Sequence, residues 1–142
     1  MIQLKGISWD HPRGFDPMVA TAKKFNQKYP EIKIEWDKRP LQAFADRPIE
    51  EMAFEYDLMV IDHPHVGEAS RKGLLTAFDE AEKYEKDLEK LKQNSVGVSH
   101  QSYEFNEHQY ALAIDAAAPV AAYKPNHIEN IPSTYEEVIK LA

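Results

Sequence analysis

Residues 56–79 read YDLMVIDHPHVGEASRKGLLTAFD. The apolar run DLMVI gives way to a polar loop holding Asp62, His63 and His65, then a short helix, then a second apolar patch. Branched residues between charged ends favour a third strand buried on both faces, as parallel sheets require. Strand, polar crest and helix is how open α/β sheets present ligand-binding groups, because ligands sit beyond the carboxyl ends of the strands. The same arrangement appears where LKGISW runs into DHPRGFDP, and again where YALAID runs into AAAP. Right-handed crossovers align such crests, so the first and third strands are expected side by side, ending at one edge. That edge is the expected binding cleft.

Outward from this stretch, the elements alternate. Residues 2–9 suit a first strand. Asp16 and Pro17 read as the start of a helix, a capping acid before a proline whose missing N–H costs nothing there. Met18, Ala22, Phe25 and Tyr29 follow on one helical face, and Pro30 stops it. IKIEW alternates at period two and predicts a second strand with Ile32, Ile34 and Trp36 on one side. Pro48 opens a helix carrying Ile49, Met52, Ala53 and Tyr56. A helix over residues 65–72 ends at Gly73. Ala81, Tyr84, Leu88 and Leu91 predict a solvated helix with one buried stripe. Residues 109–123 read as a strand pair or one extended segment, and Ser133 with Glu136 as a capping box before Val138.

Composition narrows the function classes. At 142 residues the chain suits one domain with a substantial core. Its 43% hydrophobic and 29% charged residues are a globular balance. Seventeen basic against 24 acidic residues leave a net charge of −7, which disfavours nucleic acid as the main partner. The absence of cysteine excludes disulfides and thiolate chemistry. No apolar run approaches the ~20 residues of a membrane span. Met1 leads straight into IQLKGISW without a basic and apolar leader, so the chain is read as cytosolic or as separated from an export signal. The last helix has a cap and barely two turns before Ala142, and reads as cut, the chain as a fragment of a longer protein.

Three segments carry a family resemblance. YDLMVIDHPHVGEASRKGLLTAFDE resembles the buried strand, ligand loop, helix and Gly-Leu-Leu-x-x-Phe-Asp element of extracellular solute-binding proteins, the receptors of ABC importers. The resemblance is nearest to their carbohydrate-binding family. QYALAIDAAAPVAAYKPNHI is similar to that family's first crossing between lobes, and IPSTYEEVIKLA resembles the helix start beyond it. The segments occur in the family's order and cover nearly all of this chain, but only the first third of a typical member. The resemblance implies an α/β fold with a mostly parallel sheet and helices on both faces, one lobe of a two-lobed periplasmic-binding-protein-like type II fold. Residues 1–118 would be the ligand-binding lobe and 119–142 the crossing segment with the truncated start of the second lobe. It further implies a membrane permease as partner and an extracellular or cell-surface location; a genuinely absent leader would make it cytoplasmic. WDHPRGFDP and DHPHVGE depart from the usual family loops, which points to an atypical ligand.

The candidate ligand-binding residues are Trp9, Asp10, His11, Arg13, Asp62, His63, His65 and Asp115. A tryptophan beside charged groups suits a sugar, the ring stacking on C–H faces while carboxylates and guanidinium bond hydroxyls. Trp9 reads equally as core, and Asp115 equally as a turn aspartate. Arg13 also suits a small carboxylate or a phosphate ligand, through bidentate bonding. His63, His65 and His11 with Asp62 and Glu68 supply ligand types for zinc, yet Pro64 splays the two histidines, and no metal or other cofactor is expected. His100, His108 and His127 read as surface residues. No nucleophile elbow, phosphate loop or dinucleotide fingerprint is present, so no catalytic residue is assigned. The expected function is a non-enzymatic solute receptor of an ABC transporter binding a sugar or related compound. The alternatives are a cytosolic binding domain of the same fold and a metal-dependent enzyme using His63, His65 and His11. Uncovered Val138, Ile139 and Leu141 point to self-association through the C-terminal segment.

Overall fold

Strand β1, Ile2–Trp9, is the middle of a three-stranded parallel sheet in the order β2-β1-β3. The computed structural model describes residues 1–41, 47–118, 120–128 and 130–141. Strand β2, Ile32–Arg39, pairs with β1 along its whole length, from Ile2 opposite Ile32 to Trp9 opposite Arg39. Strand β3 pairs on the other side, with Gly6 opposite Leu58 and Ile7 opposite Met59. All three strands run the same way, so their carboxyl ends share one edge. The expected α/β class and the adjacency of the first and third strands both hold.

Helix α1, Pro12–Lys28, crosses from β1 to β2, and helix α2, Ile49–Glu55, lies between β2 and β3. The two crossovers run in opposite directions across the sheet, from β1 out to β2 and from β2 back over β1 to β3, so right-handed connections put their helices on opposite faces. On one face α1 lies along β2, its buried Ala22 near Ile34 and Trp36. Trp36 lies flat over Gly6: a Cβ there would sit 2.6 Å from the indole. On the other face Ile49 and Met52 of α2 pack with Ala69, Met59, Ile61, Leu74 and Leu75. Lys5 of β1 ties the layers together, 3.2 Å from both Asp37 of β2 and Glu55 of α2.

Several boundaries differ from the sequence reading. Helix α1 starts one turn earlier than Asp16, because His11 acts as its cap: His11 Nδ1 accepts the Arg13 N–H at 3.1 Å, and Pro12 fills the first position. Pro17 therefore sits inside the helix, where it leaves only the Arg13 carbonyl without its helical donor. Strand β3 is just Leu58–Met59, and Leu58 is 36% exposed, so this strand is not buried on both faces. No further strand covers it among the described residues.

Helix α3, His63–Arg71, begins two residues early, at His63 behind its cap residue Asp62, and ends as expected at Gly73. Gly73 has φ +65° and donates to Ser70, while Leu74 donates to Ala69, the double bond of a Schellman end. Helix α4, Glu85–Gln93, follows two 3₁₀ turns and buries no residue; the expected stripe is only half covered at Leu88.

The described residues of 109–123 form no strand pair of their own. Gln109 closes a small antiparallel hairpin, β4 (Glu104–Phe105) with β5 (His108–Gln109), turned by Asn106 and Glu107 at positive φ. The final helix α5, Tyr135–Leu141, has its capping box one residue later than expected. Thr134 Oγ1 accepts the Glu137 N–H, and Glu137 accepts from the Thr134 N–H in return. Pro119 and Ala142, where the lobe boundary and the cut end were placed, lie outside the described residues. No helix among them is long and apolar enough to cross a membrane.

Two tests follow from these ends. Gly73→Ala should lower stability by about 1 kcal/mol in urea unfolding, because alanine resists the left-handed backbone; an unchanged midpoint would show that the turn relaxes freely. The Glu137 carboxyl is held below the usual glutamate range, first by the Ser133 backbone N–H, then by the Ser133 hydroxyl and the Thr134 N–H. A depressed carboxyl stabilises above its unfolded value and loses that contribution as pH falls through the folded one. Protection of amides 138–141 from hydrogen exchange should therefore drop as pH falls below the ordinary glutamate range. Glu137→Gln should abolish that acid step, and an identical acid profile in the variant would contradict the cap's role.

Candidate functional site

The carboxyl edge of the sheet is built by three strand ends. Trp9 closes β1 opposite Arg39 closing β2, and the Val60 N–H beyond β3 still donates to the Ile7 carbonyl at 2.9 Å. Chain leaving these ends turns at once into helix starts, α1 after β1 and α3 after β3. Trp9 and Asp62 thus stand at the same edge, as the sequence predicted.

The first loop is tightly organised. The Trp9 and His11 rings are near parallel, 12° apart with centroids 6.4 Å apart. Asp10 pairs with Lys38 Nζ at 2.8 Å, and that ammonium also lies 5.4 Å from the Phe15 ring centre. Arg13 reaches Asp115, Nη2 to Oδ2 at 3.4 Å. Asp115 was expected at the end of a third crest strand. Residues 110–118 carry no strand, so that part of the expectation fails; the Arg13 ion pair, not sheet pairing, brings Asp115 to the edge.

The second loop is held differently. Asp62 occupies the cap position of α3, yet its carboxylate makes no capping bond to the helix and is exposed. His63 Nε2 lies 2.8 Å from the Ser102 carbonyl; a carbonyl only accepts, so that nitrogen carries the hydrogen. The His63 ring rests on Tyr103, centroids 5.2 Å apart. Burial, then the charge of Asp62, raises the Tyr103 phenol above its ordinary value. His65 sits half-buried on α3, its backbone N–H bonded to the Asp62 carbonyl.

Arg39 connects the two loops and was not anticipated. Its guanidinium nitrogens are buried, and its pKa is lowered, first by desolvation and then by Arg47. Tyr56 and Asp62 act in the opposite direction. The charge of Asp62 therefore bears on both the Arg39 guanidinium and the Tyr103 phenol. Tyr103 and Ser102 were also missed, since nothing local marks residues some forty positions away from the loop they support. The basic end of IKIEWDKR, falling where β2 must stop, was the available signal for Lys38 and Arg39. Ser8, fully buried one residue before Trp9, has a hydroxyl without a hydrogen-bond partner among the described residues.

The histidines do not converge. Among the described residues no three of His, Cys, Asp and Glu come together to hold a metal ion. His100, expected at the surface, is buried, its carbonyl accepting from the Gln109 amide at 3.0 Å. His108 instead pairs with Asp79 at 3.2 Å. Two surface grooves, of about 550 and 700 Å³, lie along α2 and between α1 and β2, away from the crest.

The fold is α/β with a parallel sheet, of the periplasmic-binding-protein-like kind. No family model matches the chain, and no curated protein matches it. Among solved structures it is similar to a cyclo/maltodextrin-binding protein complexed with maltotetraose, with a TM-score of 0.62 and 20% sequence identity. The match covers 97% of this chain and 34% of that one, so the chain spans about a third of that protein's length. At this identity the likeness is one of fold.

The electrostatic link across the crest is directly measurable. In ultraviolet titration, the difference between the protein and its Tyr103→Phe variant should place Tyr103 above the ordinary tyrosine value of about 10. Asp62→Asn should bring it part of the way down, leaving the share due to burial. No change on removing Asp62 would separate that carboxylate from the Tyr103 ring.

Proposed function

We propose that this chain is the ligand-binding lobe of a solute receptor serving an ABC importer, and that it holds a sugar or a related hydroxylated compound. The observation that carries the reading is the shared carboxyl edge. Trp9 closes one strand and Asp62 follows another that ends at the same edge, the His11 ring lies parallel to Trp9, and Arg13 pairs with Asp115, in a fold similar to that of a protein solved with maltotetraose. An aromatic face with several donors and acceptors suits C–H stacking and hydroxyl bonding. Asp62, spared from capping, is the carboxylate best placed to accept from a hydroxyl. Residues 1–118 act as the lobe and 119–142 as the crossing toward a second lobe that closes over the solute by hinge motion. The receptor works outside the cell or at its surface, delivers solute to a membrane permease and performs no chemistry on it.

Calorimetry on the protein carrying this chain tests the reading, with maltotetraose, monosaccharides and small carboxylates as probes, with and without chelator. One or more sugars should bind irrespective of chelator. Trp9→Ala and Asp62→Ala should each weaken binding by about 1–3 kcal/mol, the usual cost of truncating one partner of a buried polar or stacked contact. Binding lost with chelator and restored by zinc would overturn the reading in favour of the metal alternative. Unchanged affinity in both variants would move the site off this edge.

A further inference from the structure

The first turn of α1 does more than start a helix. Gly14 lies in that turn, is buried, and faces the six-membered ring of Trp9 so closely that a Cβ on it would sit 2.3 Å from both Cε3 and Cζ3. Real Cβ atoms do not approach aromatic carbons so closely, so any side chain here must displace the indole or the helix start. The helix start is itself pinned. His11 Nδ1 accepts the Arg13 N–H at 3.1 Å, the Gly14 N–H donates to the His11 carbonyl at 3.0 Å, and the Phe15 N–H donates to the same carbonyl at 2.9 Å. The imidazole that makes the cap is the ring lying parallel to Trp9. One four-residue turn thus fixes both rings, and the chain from Trp9 to Gly14 is too short for either to move independently.

We infer that Gly14 is a positioning residue for ligand recognition: by lacking a side chain it sets the plane and depth of the Trp9 ring at the carboxyl edge. The inference rests on the reading of that edge as a sugar site, and it adds a residue that touches no ligand itself. Glycine in a helix interior is ordinarily replaceable by alanine with a gain of about 0.5–1 kcal/mol. Local propensity therefore argues for alanine at position 14, and the contact with Trp9 argues against it. A substitution that improves the helix and harms the site separates the two roles.

Gly14→Ala is the test, read by the indole N–H resonances of the two tryptophans and by calorimetry with maltotetraose. The Trp9 resonance should shift while that of Trp36 stays in place, and sugar affinity should fall at least tenfold with stoichiometry retained. An unmoved Trp9 resonance, or a moved one with full affinity, overturns the inference. If Gly14→Ala alone yields unfolded protein by circular dichroism, adding Trp9→Leu removes the obstructing ring and should restore folding; failure to do so also overturns it. A wild-type protein that binds none of the sugars defeats the functional reading instead, and is distinguished because the resonance shift still reports whether Gly14 seats the ring.

Discussion

Everything in this fold hangs on β1 being paired in parallel on both sides. Parallel neighbours cannot be joined by tight turns, so each connection must climb off the sheet and return. With β2 on one side of β1 and β3 on the other, right-handed returns are forced onto opposite faces. The middle strand is consequently covered above and below, and its interior residues Gly6, Ile7 and Ser8 are the buried run of the strand. The same arrangement aligns the three carboxyl ends. The candidate site is a by-product of strand direction before it is a matter of side chains.

Strand direction was legible because period and apolar runs are local properties. IKIEW alternates, and its alternation survives as half-buried and exposed positions along β2. The helix faces were legible for the same reason: Ala22, Ile49 and Met52 are buried where spacing put them. What failed were choices between two adequate local signals. Asp16-Pro17 and His11-Pro12 both look like helix starts, and the earlier one prevails because β1 ends at Trp9 and leaves no chain for a longer loop. Ser133 and Thr134 both face an acid three residues on, and the structure uses Thr134 with Glu137 as the box while Ser133 also bonds that acid. DLMVI was too apolar for the two paired residues it provides, since apolar runs also serve the loop that carries Ile61 into the core.

The site was legible in its inventory and illegible in its pairings. Polar residues after a strand mark a crest regardless of what they touch. Arg13 meeting Asp115 spans 102 positions, and His63 meeting Ser102 spans 39, distances over which sequence pattern carries no signal. Asp115 shows the difference most clearly: it reached the expected edge by a route other than the expected strand. Arg39 was overlooked because a basic strand end reads as solvent-facing until the fold buries it.

Those pairings bear on how such an edge would receive a solute. Asp10 and Arg13 are each engaged, by Lys38 and Asp115, and both pairs are substantially exposed. Exposed ion pairs of this kind contribute about 0–1 kcal/mol, so exchanging one for a bond to a ligand costs little. Asp62 is in another situation: its carboxylate makes no capping bond, and its charge bears on both the Arg39 guanidinium and the Tyr103 phenol. A hydroxyl bonded to Asp62 would leave that carboxylate ionised, whereas a second carboxylate brought there would add a like charge beside it. Under the proposed reading of this edge, a neutral hydroxylated ligand therefore suits the β3 side better than an anion. An anionic group fits only the β1 side, where Arg13 can release Asp115 at small cost. On the same proposed reading, the β1 side is the exchangeable half, set by surface ion pairs.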